Sequence, residues 1–154
     1  MIENVFNTPF EISLRVLLTL TVNETQTKTA DMIAAADFIT VYGQAFGLAE
    51  EDLNGDNAFN FSEFASRREL VQKALRLLVL DGLVIVSKKR DGFRYRISSS
   101  GKAYCDRFNN DYADEYFATA RAVNELIGTK SEKEILALIN RQSVMSLQRG
   151  GQNG

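Results

Sequence analysis

The sequence predicts a mainly α fold with one small β-hairpin, an α+β class, and three observations carry that prediction. Apolar residues recur at helical spacing before residue 82 and after residue 100. Helix-start signatures precede three of these stretches. Between them lie two short β-prone runs joined across Asp91-Gly92, the turn chemistry of a tight hairpin.

The first element starts at Thr8-Pro9-Phe10-Glu11. Thr8 can cap, Pro9 suits the first helical position, and Glu11 completes a capping box. The helix runs to about Val22 and is apolar around most of its circumference, which suits the centre of a domain. Asn23 to Thr29 reads as a polar connection. A second helix follows from about Thr29 to Tyr42 or Phe46, burying Met32, Ile33, Ala36, Phe38, Ile39 and Tyr42.

Ser66-Arg67-Arg68-Glu69 is a further capping box and opens the third helix, which Gly82 stops. Leu70, Ala74, Leu77 and Leu78 lie at three- and four-residue steps, leaving Arg67, Arg68, Lys73 and Arg76 to face outward. Leu83–Val86 and Phe93–Ile97 then form a two-stranded ribbon with Lys88, Lys89, Arg90, Arg94 and Arg96 towards its tip. A hairpin alone is marginal in water, so it must rest against the helices.

From Ser100 one long helix is expected, with Tyr104, Phe108, Tyr112, Tyr116 and Phe117 on one face. Ser131-Glu132-Lys133-Glu134 opens a last amphipathic helix. Three helices, a hairpin and a returning helix spell a winged helix-turn-helix with a C-terminal helical extension. The expected organisation is a winged-helix domain over 5–107, the extension over 108–147 and a disordered tail over 148–154.

With 154 residues, 45% hydrophobic and 25% charged, the chain can bury a real core. Its single cysteine and complete lack of histidine remove internal disulfides and the usual transition-metal sets. They fit a cytoplasmic setting. No membrane span or targeting signal is visible, since Glu11 and Arg15 interrupt the short apolar start. The formal net charge of −2 conceals an asymmetry: residues 63 to 107 hold 11 Lys/Arg against 5 Asp/Glu, and the remainder holds 7 against 15. Such a basic segment points to nucleic acid or an acidic partner.

Asp52 to Glu63 mimics a calcium loop, with Asp52, Asn54, Asp56, Asn60 and Glu63 at positions 1, 3, 5, 9 and 12. Asn57 stands where the sharp turn wants glycine, and no second loop is present to pair with it. A polar connection with Asx-type turns is the plainer account. No phosphate loop, dinucleotide fingerprint or histidine triad occurs, and Cys105 reads as a small buried thiol. An enzyme is not expected, nor is a cofactor, a metal or a small-molecule substrate. Arg67, Arg68, Lys73, Arg76, Lys88, Lys89, Arg90 and Arg94 are the candidate contacts to nucleic acid or an acidic partner. Tyr104, Phe108, Tyr112, Tyr116 and Phe117 are the candidate protein interface.

FNTPFEISLRVLLTL (Phe6 to Leu20) and FSEFASRRELVQKALRLLVLDGL (Phe61 to Leu83) resemble the middle components of bacterial ABC-three-component systems, grouped with Lamassu-type anti-phage and anti-plasmid defence. The likeness covers about residues 5 to 107. It implies a non-catalytic subunit that binds an SMC-like ABC ATPase and holds an effector, often a nuclease, in check until foreign DNA is sensed; from the residues themselves, Arg67, Arg68 and the wing are expected to face double-stranded DNA within the complex or an acidic ATPase surface. The rival expectation is a stand-alone winged-helix transcription regulator, a homodimer reading a palindrome through helix three and the wing.

Overall fold

The computed structural model describes residues 8–44, 46–49, 61–108 and 110–153. Among these residues six helices and three strands give a mainly α fold with a small antiparallel sheet, in the order α1 (Pro9–Thr21), β1 (Lys28–Thr29), α2 (Ala30–Val41), α3 (Phe61–Leu80), β2 (Val84–Lys89), β3 (Gly92–Ile97), α4 (Ser99–Asp106), α5 (Asp111–Ile127) and α6 (Glu132–Asn153).

The start of α1 follows its sequence: Pro9 occupies the first turn and the Glu11 amide donates to Thr8 Oγ1 at 3.2 Å. Every residue from Leu14 to Leu20 is buried, because α2, α3, α4 and α5 all pack on this helix. Thr29 caps α2 by accepting from the Met32 amide. Ile33 to Val41 are buried without a break, as expected of a helix that is apolar all round.

Between α1 and α2 the polar connection contains a strand that the sequence did not announce. Lys28 and Thr29 pair with Tyr95 and Arg94, so the sheet has three strands in the order β1-β3-β2. Two residues are too short to show the alternation that marks a strand.

Helix α3 begins at Phe61, five residues before the predicted cap at Ser66. The Ser66-x-x-Glu69 signature is local, whereas Phe64 is fully buried with its ring edge on Phe38 at 5.4 Å between centroids. Burial of that ring holds an extra turn in the helix. At the other end Gly82 adopts φ +77°, and the Leu83 amide reaches back to the Leu78 carbonyl at 2.9 Å. This is the left-handed glycine stop that the sequence indicated.

The hairpin turns one residue earlier than the Asp91-Gly92 reading. Lys89 pairs with Gly92, leaving Arg90-Asp91 as the loop. No described residue other than glycine has positive φ, so Gly92, at φ +108°, takes the unusual backbone at the end of the turn.

The single long helix predicted after residue 100 is two helices. Ser98 caps α4 through the Gly101 amide at 2.9 Å, and Asn110 caps α5 through the Ala113 amide at 2.8 Å. The break lets α4 pack on α1 while α5 lies across both α1 and α2. Gly101 is required there, since a Cβ on it would lie 2.1 Å from the Leu83 carbonyl oxygen. α6 opens with a reciprocal capping box, the Glu134 amide donating to Ser131 Oγ and the Ser131 amide to Glu134 Oε1. Its backbone remains helical to Asn153, where an unstructured tail from residue 148 was expected.

Candidate interaction surface and the polar core behind it

Asp37, in the middle of α2, is fully buried and organises four helices. Its carboxylate accepts from Arg15 Nε of α1 at 2.8 Å, from Arg67 Nη1 of α3 at 3.3 Å and from the Tyr116 hydroxyl of α5 at 2.7 Å. The Tyr116 O–H is committed to its hydrogen bond to Asp37, so Thr19, 2.9 Å away, donates to the tyrosine oxygen.

Burial alone would raise the Asp37 carboxyl. The charges of Arg15 and Arg67 and the bonds donated by Tyr116 and Arg15 outweigh it and hold the group below the usual carboxylate range. Burial and the neighbouring Asp37 push the Tyr116 phenol well above its ordinary value. Burial opposes the Arg15 charge, yet Asp37, Tyr116 and Tyr112 raise it further still. A carboxylate held ionised between two guanidiniums cannot serve as an acid or base at neutral pH. The cluster is a fastener.

This arrangement corrects two sequence expectations. Arg67, placed among the outward cations, is only 2% exposed. It divides itself between Asp37 and Glu63 and lies over the Phe38 ring at 5.7 Å. The five extra residues at the start of α3 make Arg67 an interior residue of the second turn rather than the first residue after a cap. Tyr116, placed at the protein interface, is fully buried for the Asp37 bond. Arg15 and Asp37 themselves were missed, although a charge in ISLRVLLTL and one in AAADFITV each lie inside an apolar helix and need an opposite partner.

The other predicted contacts separate into held and free cations. Arg68 is half-buried, grips Asp31 through Nε at 3.1 Å and Nη2 at 2.9 Å, and covers the Phe64 ring. Arg94 is pinned by Thr27 and by Asp91 at 2.6 Å, which ties the ribbon to the β1 connection. Lys73, Arg76, Lys88, Lys89 and Arg90 are exposed and, among the described residues, form no ion pair. Lys88, Lys89 and Arg90 are consecutive at the ribbon tip, with Arg96 exposed nearer its base.

A cleft of about 500 Å³ lies between the ribbon and α3, lined by Arg76, Phe93 and Tyr95 but also by Asp31, Asp91 and Glu132. Glu132 accepts a hydrogen bond from Thr29, so the start of α6 closes one end of the cleft. Among the aromatic candidates, Tyr104, Phe108, Tyr112 and Phe117 are half-buried. Phe108 contacts both Tyr104, at 5.2 Å, and Phe10, at 5.6 Å. Tyr112 stacks on Tyr116.

The calcium-like stretch lies outside the described residues except at its end, where Glu63 bonds Tyr42 and Arg67. Among the described residues no group of three or more His, Cys, Asp or Glu could hold a metal ion. Cys105 is buried, its thiol raised by burial.

Comparison with known proteins decides the family. The model for ABC-three component (ABC-3C) system Middle Component 2 matches residues 5–149. The chain belongs to this family. The match runs well past the 5–107 expected, so α5 and most of α6 are also part of the family's unit. That agrees with the packing of α5 on α1 and α2. No curated protein and no solved structure matches the chain. Among the described residues no helix of this middle component is long and apolar enough to cross a membrane.

Proposed function

We propose that this middle component is a non-catalytic accessory subunit of a cytoplasmic, Lamassu-like defence complex. It bridges an SMC-like ABC ATPase and an effector, a nuclease, and presents its basic ribbon to double-stranded DNA held by the complex. One observation carries the DNA contact: Lys88, Lys89 and Arg90 are consecutive and exposed at the ribbon tip, and among the described residues no carboxylate pairs with them. Three adjacent unpaired cations suit a phosphate backbone and position without reading sequence.

The order α1-β1-α2-α3-β2-β3, with β1 completing the sheet, supports reading residues 8–107 as a winged helix whose wing is the β2-β3 ribbon. A stand-alone regulator would read bases with α3. Here Arg67 is interior, Arg68 grips Asp31, and the cleft between α3 and the wing carries three carboxylates. Those features favour the accessory role over the regulator.

The test is to co-express the chain with the ATPase and effector encoded beside it and purify through a tag on the ATPase. All three are expected to elute together, and the complex to bind an arbitrary duplex. A chain that elutes free and alone binds a short palindrome at nanomolar strength supports the regulator instead.

A further inference from the structure

The ribbon tip that carries Lys88, Lys89 and Arg90 lies beyond the reach of the third strand. β1 pairs with β3 at Lys28↔Tyr95 and Thr29↔Arg94; past that rung Lys88↔Phe93 and Lys89↔Gly92 are paired, among the described residues, only across the ribbon itself. A two-stranded stretch is marginal in water, so its position depends on what ties it to the body.

Arg94 stands on the last three-stranded rung and donates through all three of its nitrogens. Nε bonds Thr27 Oγ1 at 3.0 Å, Nη2 the Thr27 carbonyl at 3.0 Å, and Nη1 Asp91 Oδ2 at 2.6 Å. Thr27 lies before β1, on the helical body, whereas Asp91 sits in the ribbon's own two-residue loop. One planar fork therefore reaches from body to loop, which the single ammonium of a lysine cannot do. Asp91 is also the only acid between Lys88 and Ile97, and its pairing with Arg94 keeps it from offsetting the cations beside it.

The base of this clamp is itself fastened. The Lys28 amine, 6% exposed, donates to Gln26 at 3.1 Å and to Asn124 of α5 at 3.4 Å. The Thr29 hydroxyl caps α2 and donates to Glu132 of α6. Three successive residues thus hold the ribbon, α5 and α6 to one short connection.

From this geometry we infer that Arg94 is a positioning residue for the DNA contact and not a contact itself: it fixes where the wing presents Lys88, Lys89 and Arg90. The inference rests on the DNA reading of the wing and assigns the part that makes the wing effective. A tip already in place meets the phosphate backbone with its cations set, whereas a loose one must be ordered as it binds.

Two variants of the full chain, in the co-expressed complex, test it. Arg94→Lys keeps the charge and loses the fork; Thr27→Val removes one acceptor and touches no charge. Binding of an arbitrary duplex is expected to weaken about tenfold in the first and about threefold in the second, at every salt concentration. The slope of log K against log salt should stay as in the parent, because no phosphate contact is lost. Amide hydrogen exchange over residues 86–93 should quicken in both variants while the helices keep the parent's protection.

Parent affinity in either variant, or weaker binding with unchanged exchange over 86–93, overturns the inference. So does a slope lowered by about 0.9 in Arg94→Lys, the mark of a lost phosphate contact. If the parent complex itself binds no duplex, the DNA reading fails and this inference falls with it.

Discussion

Replacing Asp37 with alanine should be among the most damaging single changes in this chain, and its size can be worked from the geometry. The carboxylate is fully buried and accepts from Arg15, Arg67 and Tyr116. Arg67 retains Glu63 after the change, but Arg15, 0% exposed, loses the Asp37 carboxylate in the centre of α1. Removing one partner of a buried ion pair costs about 3–5 kcal/mol. Domains of this size are stable by about 5–15 kcal/mol, so the loss takes a large share of the whole.

Urea denaturation followed by far-UV circular dichroism measures it. The double change Arg15→Met/Asp37→Leu is expected to recover much of the loss, because replacing a buried pair with apolar residues is often neutral. The pH dependence follows from the sign of the shift. The folded carboxyl lies below its unfolded value, so its contribution is complete above about pH 4 and disappears as pH falls through the folded value. An Asp37→Ala variant within about 0.5 kcal/mol of the parent, the range of ordinary surface changes, refutes the fastener role.

Tyr116→Phe removes the bonds to Asp37 and Thr19 without opening a cavity, and should cost about 1.5–3 kcal/mol, read as a shift in urea midpoint. Because the folded Tyr116 phenol is raised, parent stability from this group persists through pH 10 and falls only at higher pH; alkaline unfolding monitored at the tyrosinate band checks this. Gly101→Ala drives a Cβ against the Leu83 carbonyl and should destabilise by about 1–3 kcal/mol, with a lowered melting temperature as the readout. Cys105, buried with a raised thiol, should resist iodoacetamide at pH 8 in the native chain and react once urea is added.

Features written in local chemistry were legible before any coordinates. The Thr8-Pro9 start, the Gly82 stop, the Ser131 capping box and the basic ribbon each follow from a few adjacent residues. What escaped depended on distant partners. β1 exists because β3 offers an edge to Lys28 and Thr29, and α3 starts early because Phe64 finds Phe38. The inward turn of Arg67 needs Asp37, 30 residues away in sequence. The division of α4 from α5 reflects two packing surfaces that one straight helix cannot serve. Within the surface, exposure of Lys88, Lys89 and Arg90 was readable because a hairpin tip has nowhere to bury charge, whereas Arg68 and Arg94 found carboxylates that spacing alone did not reveal.

The proposal that this middle component offers its wing to DNA is tested most directly by the salt dependence of duplex binding by the assembled complex. Each phosphate contact contributes about 0.9 to the slope of log K against log salt, so Lys88→Glu/Lys89→Glu/Arg90→Glu should reduce that slope by about 2.7 and weaken binding steeply at low salt. A slope and affinity identical to the parent, in a complex that still contains all three components, contradicts the account.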